Sequence, residues 1–162
     1  MPPVHGTVQP TSIYLALYAI SREQKYHSGI VLTDSNANTV LHHAKQDPSW
    51  TYAVQDFEPE NSLTLIALIL LGKIKNESKV LQTFEKVPAD GRPSLRTGAA
   101  FACNTWTKDV LFMLEQEGEL VLPADVDSLE NQAKTYGTTY SNRATGGGGA
   151  TVVNRFRKFA PE

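Results

Sequence analysis

This chain has few cysteines, little net charge and no long apolar run. It contains 1 cysteine in 162 residues, which rules out an internal disulfide, and neither a CxxC motif nor a Cys/His cluster indicates zinc. A formal net charge of -2 gives no electrostatic basis for binding nucleic acid or an acidic membrane surface. We therefore expect no metal, no cofactor and no nucleic-acid partner.

The sequence also lacks the patterns that are typical of a membrane anchor and of a secretion signal. The most apolar run, residues 63–71, is far shorter than the roughly 20 residues that span a bilayer. The start of the chain, Met-Pro-Pro-Val-His, lacks the charged and apolar regions of a signal peptide. A lone cysteine also fits a reducing compartment. These features predict a cytoplasmic protein without a membrane anchor.

The length and composition predict one globular domain over residues 1–162. Hydrophobic residues make up 41% of the chain and charged residues 20%. Three prolines in residues 1–10 predict an extended arm. Four consecutive glycines at residues 146–149 predict a flexible loop over residues 144–150, without the Gly-Lys-Thr/Ser pattern of a phosphate-binding loop.

Strands are predicted where β-rich segments are bounded by turn residues. These segments are residues 12–20, 26–33, 39–45, 50–57 and 151–159. The Asp-Ser-Asn-Ala-Asn sequence at residues 34–38 is typical of a turn, so the second and third strands should form a hairpin. Residues 63–74 are almost continuously apolar; their leucine content favours a helix, but the poor cap at the distal end favours a buried strand.

Helical periodicity marks three further segments. Asn76 or Ser78 can cap a helix that Pro88 ends, and Asp125 can start another that ends at Gly137. The third helix lies between them and follows the cysteine. The fold class is therefore α+β: a central antiparallel sheet with two or three packed helices.

Cys103 lies at or just before the first turn of that third helix. Trp106, Val110 and Leu114 recur at steps of four, so one helix face is apolar. A thiol at a helix N-terminus should have a lowered pKa and more of the nucleophilic thiolate. Position alone favours the alternative, a buried structural cysteine, because free cysteine is among the most buried residue types. A catalytic role requires a nearby base.

The predicted hairpin supplies histidines that are candidates for this base. If Thr33 pairs with Thr39, then His27 lies near His42 and His43 of the returning strand. Successive residues of a strand face opposite sides of the sheet, so only one of His42 and His43 can share the face of His27. A bulge in the hairpin would change which one does.

The hairpin and the cysteine motif together resemble the circularly permuted papain-like group, whose best-known branch is similar to lecithin:retinol acyltransferase. The residues that carry the resemblance are His27-Ser-Gly-Ile-Val-Leu-Thr-Asp, then Val40-Leu-His42, and later Ala102-Cys103-Asn104-Thr105-Trp106. The order of histidine, polar residue and cysteine matches the group, as does the aromatic residue three positions after the cysteine. The asparagine that usually precedes the cysteine is replaced by Ala102.

The resemblance implies a permuted papain-like fold and cysteine chemistry. It implies that Cys103 is the nucleophile, that His27 is the base and that His42 orients His27, with His43 as the alternate third member. Such a site hydrolyses or transfers an acyl group through a thioacyl-enzyme intermediate, acting on a small-molecule or acyl substrate. Trp106 is expected mainly to pack the helix onto the sheet, with lining of an acyl pocket as its minor role. Asn104 is a weaker candidate for substrate binding or a local cap.

Two other functions fit the same sequence. One is a non-catalytic domain that binds a small molecule or a protein, with Cys103 buried and inert. The other is an isopeptidase that acts on a protein tail, which would need an extended groove beside Cys103. The pH dependence of cysteine reactivity distinguishes the enzyme from the binding domain.

Overall fold

A computed structural model describes residues 4–19, 26–46, 48–59, 62, 64–102 and 104–155, with Thr145 described in its backbone only. Within those residues the chain is α+β, with six strands in one open sheet and three α-helices. The strands are β1 (Ser12–Ala19), β2 (Tyr26–Thr33), β3 (Thr39–Gln46), β4 (Trp50–Asp56), β5 (Leu65–Lys73) and β6 (Thr151–Val153). The helices are α1 (Glu77–Lys86), α2 (Thr105–Gln116) and α3 (Val126–Arg143), and a π-helical turn (Ala144–Gly148) follows α3.

The strand order across the sheet is β4-β3-β2-β1-β5-β6. Every neighbouring pair is antiparallel except β5 and β6, which are parallel. The four predicted strands from residue 12 to residue 57 are confirmed. Thr33 pairs with Thr39, as expected for the predicted hairpin. The apolar run is the inner strand β5, which confirms the preference for a buried strand.

The larger core lies on one face of the sheet, which we call the helix face. Ile30 and Leu32 of β2 point into this core. They are buried there with Phe84 of α1, Trp106 of α2 and Leu129 of α3. All three helices therefore contribute apolar side chains to the same face, as expected for a layered α+β domain.

The opposite face is covered by the segment that precedes β1, and we call it the arm face. Val31 lies between Ile30 and Leu32 and belongs to a separate, smaller buried cluster, because alternate residues of a strand point to opposite sides. Val4 and Val8 of the N-terminal segment pack against this cluster. A parallel bridge from His5 to Thr151 ties the same segment to β6.

The helix caps follow the sequence, but one predicted helix end is wrong. Asn76 caps α1 by accepting a hydrogen bond from the Lys79 amide at 3.2 Å, and Asp125 caps α3. Helix α3 does not end at Gly137 but continues to Arg143. The ring of Tyr26 lies 2.9 Å from where a β-carbon on Gly137 would be, so this glycine lets the ring pack closely against α3.

Among the described residues, no helix is both long and apolar enough to cross a bilayer.

The region after α3 differs from the sequence prediction. Residues predicted as a glycine loop form the π-helical turn, in which Gly147 has a φ of 86°. The last strand was predicted over residues 151–159, and the observed strand β6 covers Thr151–Val153. Residues 156–159 of that prediction lie outside the described residues.

Candidate functional site

A cavity of about 380 Å³ lies on the helix face, between α2, α3 and strands β1 and β2. This volume is within the range of about 300–1,000 Å³ that is usual for small-molecule sites. Its walls are apolar: Leu15, Leu17, Leu111, Val126, Leu129 and Ala133. Its other lining residues are polar, and we call them the rim: Tyr26, Ser28, Asn104, Thr107, Lys108, Glu130 and Lys134. The combination of an apolar interior and a few polar groups is typical of a ligand pocket.

Asn104, which precedes α2, joins that helix to the sheet and to α3. Its Oδ1 accepts a hydrogen bond from Ser28 Oγ at 2.8 Å, and its Nδ2 donates to Glu130 Oε2 at 3.4 Å. Thr107 Oγ1 donates to the Ser28 carbonyl oxygen at 3.4 Å. The Asn104 side chain makes no capping hydrogen bond, so local capping, the alternative to substrate binding, is wrong. The start of α2 is thus fixed to β2 on the helix face.

The charged groups of the rim form a linked set of ion pairs. Lys108 Nζ lies 3.0 Å from Asp127 Oδ1 and 3.4 Å from Glu130 Oε1, and Lys134 Nζ lies 3.8 Å from the same Glu130 oxygen. The side chains of Lys108 and Glu130 are only 24% and 23% exposed. The two lysines are therefore balanced by two carboxylates, of which Glu130 lines the cavity and Asp127 does not.

The cavity residues Ser28, Lys108 and Glu130 are not evident from the sequence. The one pattern among them is spacing, since Asn104 and Lys108 are one helical turn apart, and so are Glu130 and Lys134. Such spacing is also that of an ordinary solvated helix face. The cavity exists because α2 packs mainly on β2 and β3 while α3 packs mainly on β1 and β5, an arrangement that no local pattern reveals.

Cys103, the predicted nucleophile, lies outside the described residues. Its neighbours in the chain are described. The Ala102 amide donates to Thr105 Oγ1 at 2.8 Å, and Asn104 lines the cavity. The role assigned to Cys103 by the resemblance therefore stays a prediction.

The structure brings His27 together with His43 on the arm face. His27 Nε2 lies 3.3 Å from His43 Nδ1, and the two ring centroids are 5.6 Å apart. His43 Nε2 in turn donates to Gln55 Oε1 at 2.8 Å, because an amide oxygen only accepts. Burial lowers the pKa of both histidines. For His43, the hydrogen bond to Gln55 partly offsets this effect, and the nearby charge of Lys45 adds to it.

The structure does not place His42 where it could orient His27. His42 pairs with Ile30, so its side chain points to the helix face. There its Nδ1 lies 2.6 Å from the Tyr52 hydroxyl, and its ring centroid lies 4.8 Å from that of Phe84. The predicted pairing of His27 with His42 is replaced by the alternate pairing with His43.

The same alternation separates His27 from the start of α2. Ser28, which is bonded to Asn104, points to the helix face, whereas the neighbouring His27 points to the arm face. Two predicted site residues, His27 and Asn104, therefore lie on opposite sides of the sheet.

Trp106 takes the packing role that the sequence favoured. It is fully buried, with its ring centroid 5.3 Å from that of Tyr52 and 5.6 Å from that of Phe84. It is not among the residues that line the cavity. Its minor predicted role in substrate binding has no support from this position.

Acidification is expected to destabilise the fold through His42. Burial, with a smaller contribution from His43, lowers the pKa of His42 to about 4, against about 6.5 in an unfolded chain. The unfolded state binds more protons between these values. The contribution of neutral His42 to the free energy of unfolding is therefore fully present above about pH 6.5. It is lost as the pH drops towards 4, by about 3 kcal/mol at most.

Urea unfolding between about pH 7 and pH 4.5 tests this expectation in wild type and in His42→Gln, which cannot ionise. The variant should lose much of the pH dependence, while His27 and His43 contribute equally to both proteins. Equal slopes in the two proteins would show that His42 is not the source.

The described residues define an α+β domain with an open sheet and an amphipathic cavity between two helices and the sheet. The chain belongs to DUF6914, a family of unknown function, whose model matches residues 11–145. The matched region includes every residue that lines the cavity. Comparison with curated proteins and with solved structures finds no match.

Proposed function

We propose that this chain is a binding domain for a small amphipathic molecule, held in the cavity between α2, α3 and strands β1 and β2. The observation that carries the proposal is the arrangement of the cavity itself. Apolar walls are joined to a rim that carries an amide, three hydroxyls, two lysines and one carboxylate. Sites of this kind bind a ligand through apolar burial and orient it through a few polar contacts.

The ligand class follows from the two parts of the cavity. An apolar body that covers Leu17, Leu111 and Leu129 gains about 25 cal/mol for each Å² of apolar surface removed from water. We expect a compact anionic head to pair with Lys108 and Lys134, whose partners in the structure are the carboxylates of Asp127 and Glu130. Such a head would compete with Glu130 for the lysines.

The dye 1-anilinonaphthalene-8-sulfonate tests the proposal, since it combines an apolar body with a sulfonate. We expect enhanced fluorescence with the native protein and loss of most of that enhancement in Ala133→Trp. Ala133 is buried and lines the cavity, so an indole at this position fills the space. Asn131→Trp is the matched control, because residue 131 is exposed on the same helix and does not line the cavity.

Circular dichroism and the melting temperature must show that both variants are folded. Equal dye binding by Ala133→Trp and wild type would contradict the proposal. Loss of binding in Asn131→Trp as well would place the dye elsewhere on α3 and would also contradict it.

A second candidate function is the acyl chemistry implied by the permuted papain-like resemblance, with Cys103 as nucleophile. It is favoured by one observation, since Asn104, the next residue in the chain, lines the cavity. An acyl chain in the cavity would then lie near the start of α2. The position of His27 weighs against it, because that side chain is bonded to His43 on the arm face.

Alkylation of Cys103 by iodoacetamide, followed against pH in wild type and in His27→Ala, separates the two functions. Fast modification well below pH 8 that the variant loses would support a thiolate–imidazolium pair and the enzyme. A rate that rises only near the ordinary thiol pKa of about 8.5, and that is alike in both proteins, would support the binding domain and not the enzyme.

A further inference from the structure

We propose that His27 and His43 form a two-histidine site for a divalent transition-metal ion of the zinc class on the arm face. The site is independent of the proposed function, because the cavity lies on the other side of the sheet. Both histidines lie on one surface of the β2–β3 hairpin, and their facing nitrogens are 3.3 Å apart. Imidazole nitrogens are preferred ligands of zinc, copper and nickel.

The separation of the two nitrogens matches tetrahedral coordination. Two nitrogens bound to one zinc ion at about 2.0–2.1 Å lie about 3.3–3.4 Å apart when the angle at the metal is tetrahedral. His27 Nε2 and His43 Nδ1 already have this separation. A metal ion held by both nitrogens lies off the line that joins them, so it replaces the hydrogen bond once the two rings turn to direct their lone pairs at it.

Gln55 prepares His43 to be a ligand. Because Gln55 Oε1 accepts from His43 Nε2 at 2.8 Å, the proton of neutral His43 is on Nε2 and its Nδ1 carries a lone pair. Metal-bound histidines usually donate their other ring N–H to such an outer partner. His27 becomes a ligand when its Nε2 proton moves to Nδ1, so both rings stay neutral and no net proton is lost.

The surroundings complete a weak, exchangeable site. In the described part of the chain His27 and His43 belong to no group of three or more metal-binding side chains, and we assign the remaining positions to water. Tyr18 pairs with His27 across the sheet, with ring centroids 6.0 Å apart. Its buried hydroxyl has no hydrogen-bond partner among the described residues, and a metal-bound water offers one.

Titration of the full chain with Zn²⁺ by calorimetry tests the site. We expect one zinc ion per chain, and a loss of affinity of tenfold or more in each of His27→Gln and His43→Gln. Gln55→Ala keeps both ligands and should weaken binding by about tenfold or more, with an unchanged melting temperature. His5→Ala and Cys103→Ser are the controls for other metal-binding side chains, and both should bind like wild type.

Three outcomes with folded variants of the metal-binding side chains would overturn the proposal. One is the absence of zinc binding by wild type, and another is unchanged affinity in the two histidine variants. The third is an equal loss in His5→Ala or Cys103→Ser, which would place the ion elsewhere. If a histidine variant is unfolded, Gln55→Ala decides: unchanged affinity in that folded variant would also overturn the site.

Discussion

Replacing Trp106 with alanine is expected to lower the free energy of unfolding by about 3–5 kcal/mol. The indole is fully buried between Tyr52 and Phe84, at the point where α2 meets the sheet and α1. Removing it opens a cavity that these rings cannot fill without leaving their own packing positions. Denaturant unfolding measures the loss directly, and the melting temperature should fall by about 10 °C.

Two variants show whether burial is the cause. Trp50→Ala removes the same side chain from a half-buried position, where it packs against Phe101 with ring centroids 4.8 Å apart, and should cost clearly less. Trp106→Phe should also cost less than alanine. The Trp106 Nε1 atom has no hydrogen-bond partner among the described residues, so phenylalanine loses volume but no hydrogen bond. An unchanged melting temperature in Trp106→Ala would refute the packing role.

Asp109→Ala is expected to lower the free energy of unfolding by about 2–4 kcal/mol. Asp109 is 7% exposed, and its Oδ1 accepts a hydrogen bond from Ser94 Oγ at 2.8 Å. The same oxygen lies 3.7 Å from Nε of Arg96, whose side chain is 16% exposed. Removing the carboxylate leaves a mostly buried guanidinium whose remaining partners among the described residues are the exposed Asp127, at 3.2 Å, and the Phe112 ring, whose centroid is 5.8 Å away.

Asp127→Ala is the matched control for this effect, because it removes the exposed partner of the same arginine. Its carboxylate is 62% exposed, so the loss should be below about 1 kcal/mol. Both variants are compared by denaturant unfolding at neutral pH. Similar losses in the two would show that burial of Asp109 is not what makes its ion pair important.

The strands were predictable because their signals are local. Alternation and turn residues set β1 to β4, and the Asx-rich turn at residues 34–38 set the pairing of Thr33 with Thr39. The end of α3 was not predictable in this way. Gly137 is tolerated within the helix because the Tyr26 ring, from β2, occupies the space that a side chain would need. That reason is tertiary, and it overrides the usual preference for glycine at a helix end.

The strand register and the family resemblance predict different partners for His27. Counting from the pairing of Thr33 with Thr39 without a bulge puts His43, and not His42, on the face of His27. The resemblance favoured His42, and the regular hairpin puts that side chain in the helix-face core. The cavity could not be predicted at all, because it depends on how α2 and α3 lie beside each other on the sheet.

Strand β6 has a consequence for how the chain folds and opens. Strands β1 to β4 pair with their neighbours in sequence, whereas three helices separate β6 from its partner β5 in the chain. Beside it, His5 Nε2 meets the Gly148 carbonyl oxygen across 143 positions of the chain, at 2.7 Å. Closing such a long loop costs more chain entropy than closing a hairpin, so this edge should form late. Its amides should then exchange with solvent through partial opening, while the inner strands exchange only when the whole domain unfolds.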